Sequence, residues 1–276
     1  MKKLVLAGLL LAFGLAAHAA PTKITWHGHA AFEIVTPQGD VLMIDPWLKN
    51  GLNPKVIAKH DPVAEVTRLD YILITHGHFD HVGESVELAK KTGARLVGAF
   101  ELGKQMVMKM GFPANQLGFD TMMNAGGEIE IAKGEVLVHM TPAIHGTGVD
   151  IYADGKQTDT LYGGQAGGFV LVIKGGPTIY HTGDTAFFSD MALIAEFAPD
   201  LALINIGGHF GMEAPMAARA AKVTHAKLAV PMHFKTFPVI TQDPAGFVKE
   251  ATRLGVKAHV MNPGDTLVYE GKTLKS

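Results

Sequence analysis

The feature that most constrains this chain is a short apolar run, Tyr71-Ile72-Leu73-Ile74, that passes directly into Thr75-His76-Gly77-His78-Phe79-Asp80-His81. Consecutive large apolar residues rich in β-branching read as a buried strand, and Gly77 reads as part of the turn that ends it. Four side chains able to ligate a metal, His76, His78, Asp80 and His81, therefore leave one strand end within six residues. On a turn they can converge on one point, whereas a helix would scatter them. Imidazole and carboxylate donors together suit zinc, iron or manganese. The chain has no cysteine, so the thiolates that mark a closed structural zinc site are missing. A polar surface loop with chance histidines is the competing reading, and the density of donors favours the metal site.

The N-terminus reads as a processing segment. Lys2-Lys3 is followed by an apolar run from Leu4 to Ala17 and by the small-residue pattern Ala17-His18-Ala19, the succession of a cleavable secretory signal. Residues 1–19 are expected to be removed and the mature chain to be periplasmic or secreted. The run is short for a membrane span and no stop-transfer pattern follows, so no stable membrane insertion is expected after cleavage. Residues 20–276 are expected to form one domain, since 47% hydrophobic and 18% charged residues in a chain of 276 allow one large layered core. Cleavage would take away Lys2 and Lys3 and no acid, moving the formal charge from −2 to about −4. That balance, with no basic run and no basic patch interleaved with aromatics, argues against nucleic acid as a partner and for a small-molecule substrate. No heptad pattern specifies an oligomer.

Along the mature chain, Lys23 to Trp26, Ala31 to Val35 and Val41 to Ile44 read as an antiparallel meander, and Lys49 to Pro62 as a loop. After the motif strand come a helix near Glu84 to Lys91, a strand at Arg95 to Gly98 and a helix from Glu101 to Met110. Glu128 to Ile131 and Glu135 to Thr141 read as strands, Gly146 to Gly168 as a long loop over the site, and Phe169 to Ile173 with Thr178 to His181 as a strand pair. A second alternation follows: helical Ser189 to Phe197, strand Leu201 to Ile206, helical Ala214 to Val223, strand Leu228 to Val230, helical Pro244 to Leu254 and strand His259-Val260. Strands then α/β, twice over, predicts two sheets packed face to face with helices outside.

His145, Asp184 and His233 each follow a predicted strand, as the first motif does, and strand ends along one sheet edge are where a site can be assembled. The ordered set Thr75-His76-x-His78-x-Asp80-His81, His145, His181-Thr182-Gly183-Asp184-Thr185 and Pro231-Met232-His233 resembles the ligand series of the metallo-β-lactamase superfamily. The openings Trp26-His27-Gly28-His29 and Met43-Ile44-Asp45-Pro46 are similar to its uncharacterised metal-dependent hydrolase branch, which also resembles ascorbate-phosphate lactonase. The resemblance covers essentially the whole mature chain. It implies a four-layer αββα sandwich of mixed sheets, with a site for two divalent metal ions, Zn2+ foremost and Mn2+ or Fe2+ as alternatives. It assigns His76, His78 and His145 to one metal, Asp80, His81 and His233 to the other, and Asp184 to a bridge between them.

Two divalent cations against two carboxylates leave such a shell positive, so a bridging water is expected to ionise near neutral pH and attack an ester, lactone or phosphodiester-type bond. Asp80 is expected to orient that nucleophile or hold its proton as well as to bind metal. His29, on a glycine turn, is a candidate to line the pocket, and a hydrogen-bonded structural histidine is its other reading. Asp45 is expected to accept a ligand's ring proton. His209, in Gly207-Gly208-His209-Phe210-Gly211, is a candidate substrate or oxyanion contact. Two other functions compete with this hydrolase. A β-lactamase of this superfamily commonly uses a cysteine or lacks the bridging aspartate, and a non-catalytic metal-binding protein would have no use for a complete catalytic shell.

Overall fold

The computed structural model describes residues 20–275, so the expected signal segment at 1–19 lies outside the described residues. In chain order the strands are β1 (Thr22–Trp26), β2 (Phe32–Val35), β3 (Val41–Ile44), β4 (Tyr71–Ile74), β5 (Arg95–Ala99), β6 (Met122–Met123), β7 (Glu128–Ile131) and β8 (Val136–Pro142). They continue as β9 (Gly148–Ala153), β10 (Lys156–Tyr162), β11 (Gly167–Ile173), β12 (Thr178–His181), β13 (Leu201–Asn205), β14 (Ala229–Met232), β15 (Thr266–Glu270) and β16 (Thr273–Lys275).

Two mixed sheets make the sandwich. The first runs β16-β15-β1-β2-β3-β4-β5-β6 and the second β14-β13-β12-β11-β8-β7. Each begins as an antiparallel meander and changes to parallel pairing, at β3–β4 in the first sheet and at β12–β13 in the second. Parallel neighbours need a crossover, which places helices on the outer faces. The helix Ser85–Thr92 buries Leu88 and Ala89, and Ala214–Val223 buries its four alanines at 217, 218, 220 and 221. Strand patterns follow from position. β1 alternates inward Thr22, Ile24 and Trp26 with outward Lys23, while β13 and β14, covered on both faces, are buried at every residue.

The sheets are also tied to each other by polar bonds. At one end, Thr36 Oγ1 donates to the buried Glu135 Oε2 at 2.6 Å. At the other, Gly167 N donates to Thr75 O and the His181 ring to Ala30 O, both at 3.0 Å. Because β1, β3, β4, β8, β12, β13 and β14 all run towards this second end, the residues that follow them meet there.

Several segments differ from expectation. The long loop at 146–168 contains the β9–β10 hairpin. β10, Lys-Gln-Thr-Asp-Thr-Leu-Tyr, is almost wholly exposed, so it carries no alternating apolar signal. Its legible mark was Asp154-Gly155, with φ of 51° and 73°, a two-residue turn of the kind that matches strand twist. His259-Val260 forms no strand; a single bridge joins Ala229 and Ala258 nearby. The hairpin β15–β16 instead extends the first sheet past β1. The segment 49–62 contains one helical turn, Pro54–Ile57, capped by Asn53 Oδ1 accepting from Lys55 N at 3.0 Å. The helix expected at 101–110 starts at Phe100 and widens to a π-helix over Met106–Met110.

Candidate metal centre

Seven of the expected donors converge at the shared end of the sandwich. His76 and His78 leave β4, and Asp80 and His81 lie on the single helical turn Phe79–Val82 that follows, so the motif is part turn and part helix. His145 follows β8, Asp184 follows β12 and His233 follows β14. Gly83 lets this turn close, since its φ is +43° and a Cβ there would strike the backbone of Pro46 and Trp47. His29, Asp45 and His233 also adopt left-handed φ values of 53°, 47° and 61°. Asp and His tolerate that region better than most residues, yet three such positions around one cluster of donors are strain held by the surrounding structure.

Potential ligand atoms fall into overlapping groups: His76, His78 and His145; His76, His81 and Asp184; and His29, Asp80, His81 and His233. In the first group His76 Nε2 and His78 Nδ1 are 3.0 Å apart. The His76 Nδ1–H can donate to Thr75 Oγ1 at 3.0 Å, which leaves Nε2 as a lone pair facing the group. Asp184 reaches both sides, with Oδ2 3.6 Å from His145 Nε2 and 3.0 Å from His233 Nε2, and Oδ1 3.4 Å from His81 Nε2. Asn205, at the end of β13, donates to Asp184 Oδ1 through its side-chain amide and so fixes the carboxylate.

The residues fit a divalent cation by a test internal to the chain. His81 Nδ1 donates to Asp45 Oδ2 at 2.7 Å, which sets the tautomer and leaves Nε2 facing inward. That Nε2 is buried without a hydrogen-bond partner, as is His233 Nε2, which lies near Asp184 but is not oriented to donate to it. Buried orphan nitrogens beside carboxylates are costly unless a cation fills the space between them. Asp45 is held in turn by Thr75, whose N and Oγ1 donate to it at 2.8 and 2.7 Å.

Charge at the centre is steeply biased. Burial opposes ionisation of Asp184, but His233 and His81 outweigh it and hold the carboxyl well below the usual range. Asp80 behaves alike, with burial overcome by the His29 hydrogen bond and by His81. Burial disfavours a proton on His81 too, yet Asp184 and Asp45 raise its pKa well above the ordinary value, so this spot attracts positive charge. His76 is pushed down, by burial first and then by His81. His29 is driven to about 3 by burial and then by His233, and is therefore neutral.

A cavity of about 520 Å³ opens over the centre. His78, Asp80, His145, Asp184 and His233 reach it, and Phe79, Phe210, Phe237 and Val239 form part of its wall. His29 is not among its lining residues. It is fully buried behind Asp80, donating from Nε2 to Asp80 Oδ2 at 3.0 Å, while Thr236 Oγ1 donates to its Nδ1 at 2.6 Å. His209 is exposed, outside both the lining and the converging groups, with its ring edge-on to Phe210 at 4.5 Å. Sequence reasoning had not singled out Thr75, Asn205, Thr236 or Phe237. Asn205 did carry a signal, a polar residue closing the run Leu201-Ala202-Leu203-Ile204, as the other site residues close theirs.

Comparison with known proteins agrees with the fold. Residues 41–234 match the beta-lactamase superfamily domain. A UPF0173 metal-dependent hydrolase of Thermodesulfovibrio yellowstonii is 42% identical over 276 residues, spanning 100% of this chain and 99% of the relative. Another, from Pyrobaculum arsenaticum, is 44% identical over 248 residues, 89% of this chain and 99% of the relative. Among solved structures, Igni18, a metallo hydrolase of the hyperthermophilic archaeon Ignicoccus hospitalis, is similar over 91% of this chain and 99% of its own, with 31% identity and a TM-score of 0.75. On these matches and on a sandwich of two mixed sheets with outer helices, the chain belongs to the beta-lactamase superfamily, among its metal-dependent hydrolases.

Proposed function

We propose that this chain binds two divalent cations, zinc foremost, and hydrolyses an ester, lactone or phosphodiester-type bond of a small molecule outside the cytoplasm. One observation carries the reading: Asp184 lies within 3.6 Å of His145 on one side and 3.0 Å of His233 on the other, where one carboxylate can serve two cations. Two cations at such a site, when bound, lower the pKa of a shared water towards neutrality and polarise the oxygen of the bond under attack.

The chain's own residues prepare that chemistry. Thr75 and Asp45 accept the Nδ1–H of His76 and His81, so that each turns Nε2 to the centre, where a cation would take the place of any proton. Asn205 holds Asp184 in place. Asp80 reaches the cavity as an ionised carboxylate with Oδ2 tied to His29, an acceptor that can orient the proton of a nucleophile or leaving group. A substrate lying on the apolar wall would displace water from the polar floor and so strengthen each of these interactions.

Metal analysis of the purified chain tests the proposal, with Asp184→Asn as the variant. The wild type should hold two metals per chain. An amide can coordinate but cannot neutralise a pair of cations, so the variant should lose at least one and most of its turnover while keeping its fold. A wild type saturating at one metal, or a variant with two tightly held metals and unchanged turnover, refutes the bridge.

A further inference from the structure

The wall of the cavity is apolar where it is most exposed. Phe79 is 51% exposed, Phe210 54% and Val239 60%. Phe79 sits inside the ligand motif, between His78 and Asp80, with half of its surface open to the cavity side. Phe237 is held by Trp47, stacked on it at 5.3 Å with 12° between the planes, and Phe79 meets both rings edge-on. Exposed aromatics fixed in this way beside a candidate reaction centre are a surface built to be covered.

The same lining contains no lysine and no arginine, and its one charged side chain outside the candidate ligands is Asp150. A phosphodiester or phosphorylated substrate carries a permanent negative charge, which protein sites ordinarily meet with Arg, Lys or clustered backbone N–H groups. Here such a group would have the cations alone to meet its charge, beside an aspartate and a wall of phenylalanines. A neutral substrate meets neither problem, and its apolar part gains from every methylene covered.

We propose that the site takes a neutral carboxylic ester or lactone whose apolar chain lies along Phe79, Phe237 and Val239. The proposal rests on the hydrolytic reading above and narrows it. In the reaction a bond forms between the water oxygen and the acyl carbon, the acyl carbon–alkoxy oxygen bond breaks, and the alkoxy group leaves with a proton, giving an acid and an alcohol without any redox partner.

The test uses the metal-loaded protein with p-nitrophenyl esters from acetate to octanoate and with bis(p-nitrophenyl) phosphate. Burial of a methylene in such a wall corresponds to a rise in kcat/KM of up to about fourfold per carbon. The diester should be the poorest substrate. Phe237→Ala, and Val239→Ser at the exposed rim, should each flatten the chain-length dependence through KM while metal content stays constant. Calorimetric binding of the alkanoate products, acetate to octanoate, gives a readout independent of turnover. Faster cleavage of the diester than of octanoate ester, or equal binding of acetate and octanoate, overturns the proposal. Tighter octanoate binding without turnover of any ester supports the apolar wall and places the failure in the hydrolytic reading.

Discussion

Asp45→Asn should disable half of the metal centre without touching a metal ligand. Asp45 is fully buried and accepts three hydrogen bonds, from Thr75 N at 2.8 Å, from Thr75 Oγ1 at 2.7 Å and from His81 Nδ1 at 2.7 Å. An asparagine of the same shape keeps one oxygen, which the rigid Thr75 backbone N–H will claim. The amide nitrogen then faces the Thr75 hydroxyl and the His81 ring. The hydroxyl can turn and accept, but His81 can accommodate a donor only by shifting its proton to Nε2, which points an N–H at the centre in place of a lone pair. Trading hydrogen bonds to a charge, worth about 1.5–3 kcal/mol each, for neutral ones should cost roughly 2 kcal/mol of metal-free stability. For a chain of this size that lowers Tm by about 4–8 °C. The wrong tautomer should weaken the cation nearest His81 by about 10–100-fold, the usual cost of losing an outer partner of a ligating histidine, while the cation nearest His76, His78 and His145 stays tight. Calorimetric titration of the metal-free variant, with thermal unfolding alongside, separates the two effects. Wild-type affinity for both cations in a folded Asp45→Asn would refute the tautomer argument.

His29→Ala should weaken metal binding about tenfold through Asp80, since among the described residues its ring hydrogen-bonds only to Asp80 and Thr236; loss of all metal would make His29 itself a ligand. His209→Ala should keep metal content and change KM by no more than about threefold, the worth of its edge-on contact with Phe210. A drop in kcat of about 100-fold would instead move His209 to the reacting atoms. N-terminal sequencing of exported protein should begin at Ala20, and an intact Met1 on cytoplasmic protein would reject the signal-peptide reading.

The parts of this molecule legible in the sequence are those whose signal is local. Tyr71 to Ile74 and Leu201 to Ile204 announce strands by composition, and Ala214–Val223 announces its helix by spacing, because burial on one or both faces demands those residues in that order. The donors were legible for a related reason: each closes a strand, and strand ends share an edge. What stayed hidden depends on partners distant in the chain. β15 extends the first sheet because β1 lies beside it, with Thr22 paired to Tyr269, and its run Leu267-Val268-Tyr269 is too short to announce a strand without that neighbour. β10 is held by polar cross-strand bonds, Gln157 and Thr160 both reaching Asp150, with little apolar burial to leave a pattern. Thr236 is an ordinary threonine until the fold sets it 2.6 Å from His29.

The buried charges also tie the site to the stability of the end of the sandwich that holds it. Asp45 and Asp184 are buried and Asp80 is half-buried at one end of the sandwich, and among the described residues none of the hydrogen bonds or ion pairs they make comes from lysine or arginine. Buried carboxylates at this density repel one another unless positive charge is supplied. The histidines can supply it only by taking up protons: Asp184 and Asp45 favour one on His81, while burial drives His29 and His76 towards neutrality. Two divalent cations would offset the three carboxylates and leave the shell about one charge positive. The donors come from both sheets, so the same ions would join them, adding to the backbone bond from His233 N to His29 O at 3.0 Å. Left-handed backbone at His29, Asp45 and His233 costs on the order of 1 kcal/mol or more at each. That strain is sustained by the strands before them, β1, β3 and β14, whose last residues Trp26, Ile44 and Met232 are fully buried, and would be offset in part by ligation, so cation binding should act as folding energy at this end of the sandwich.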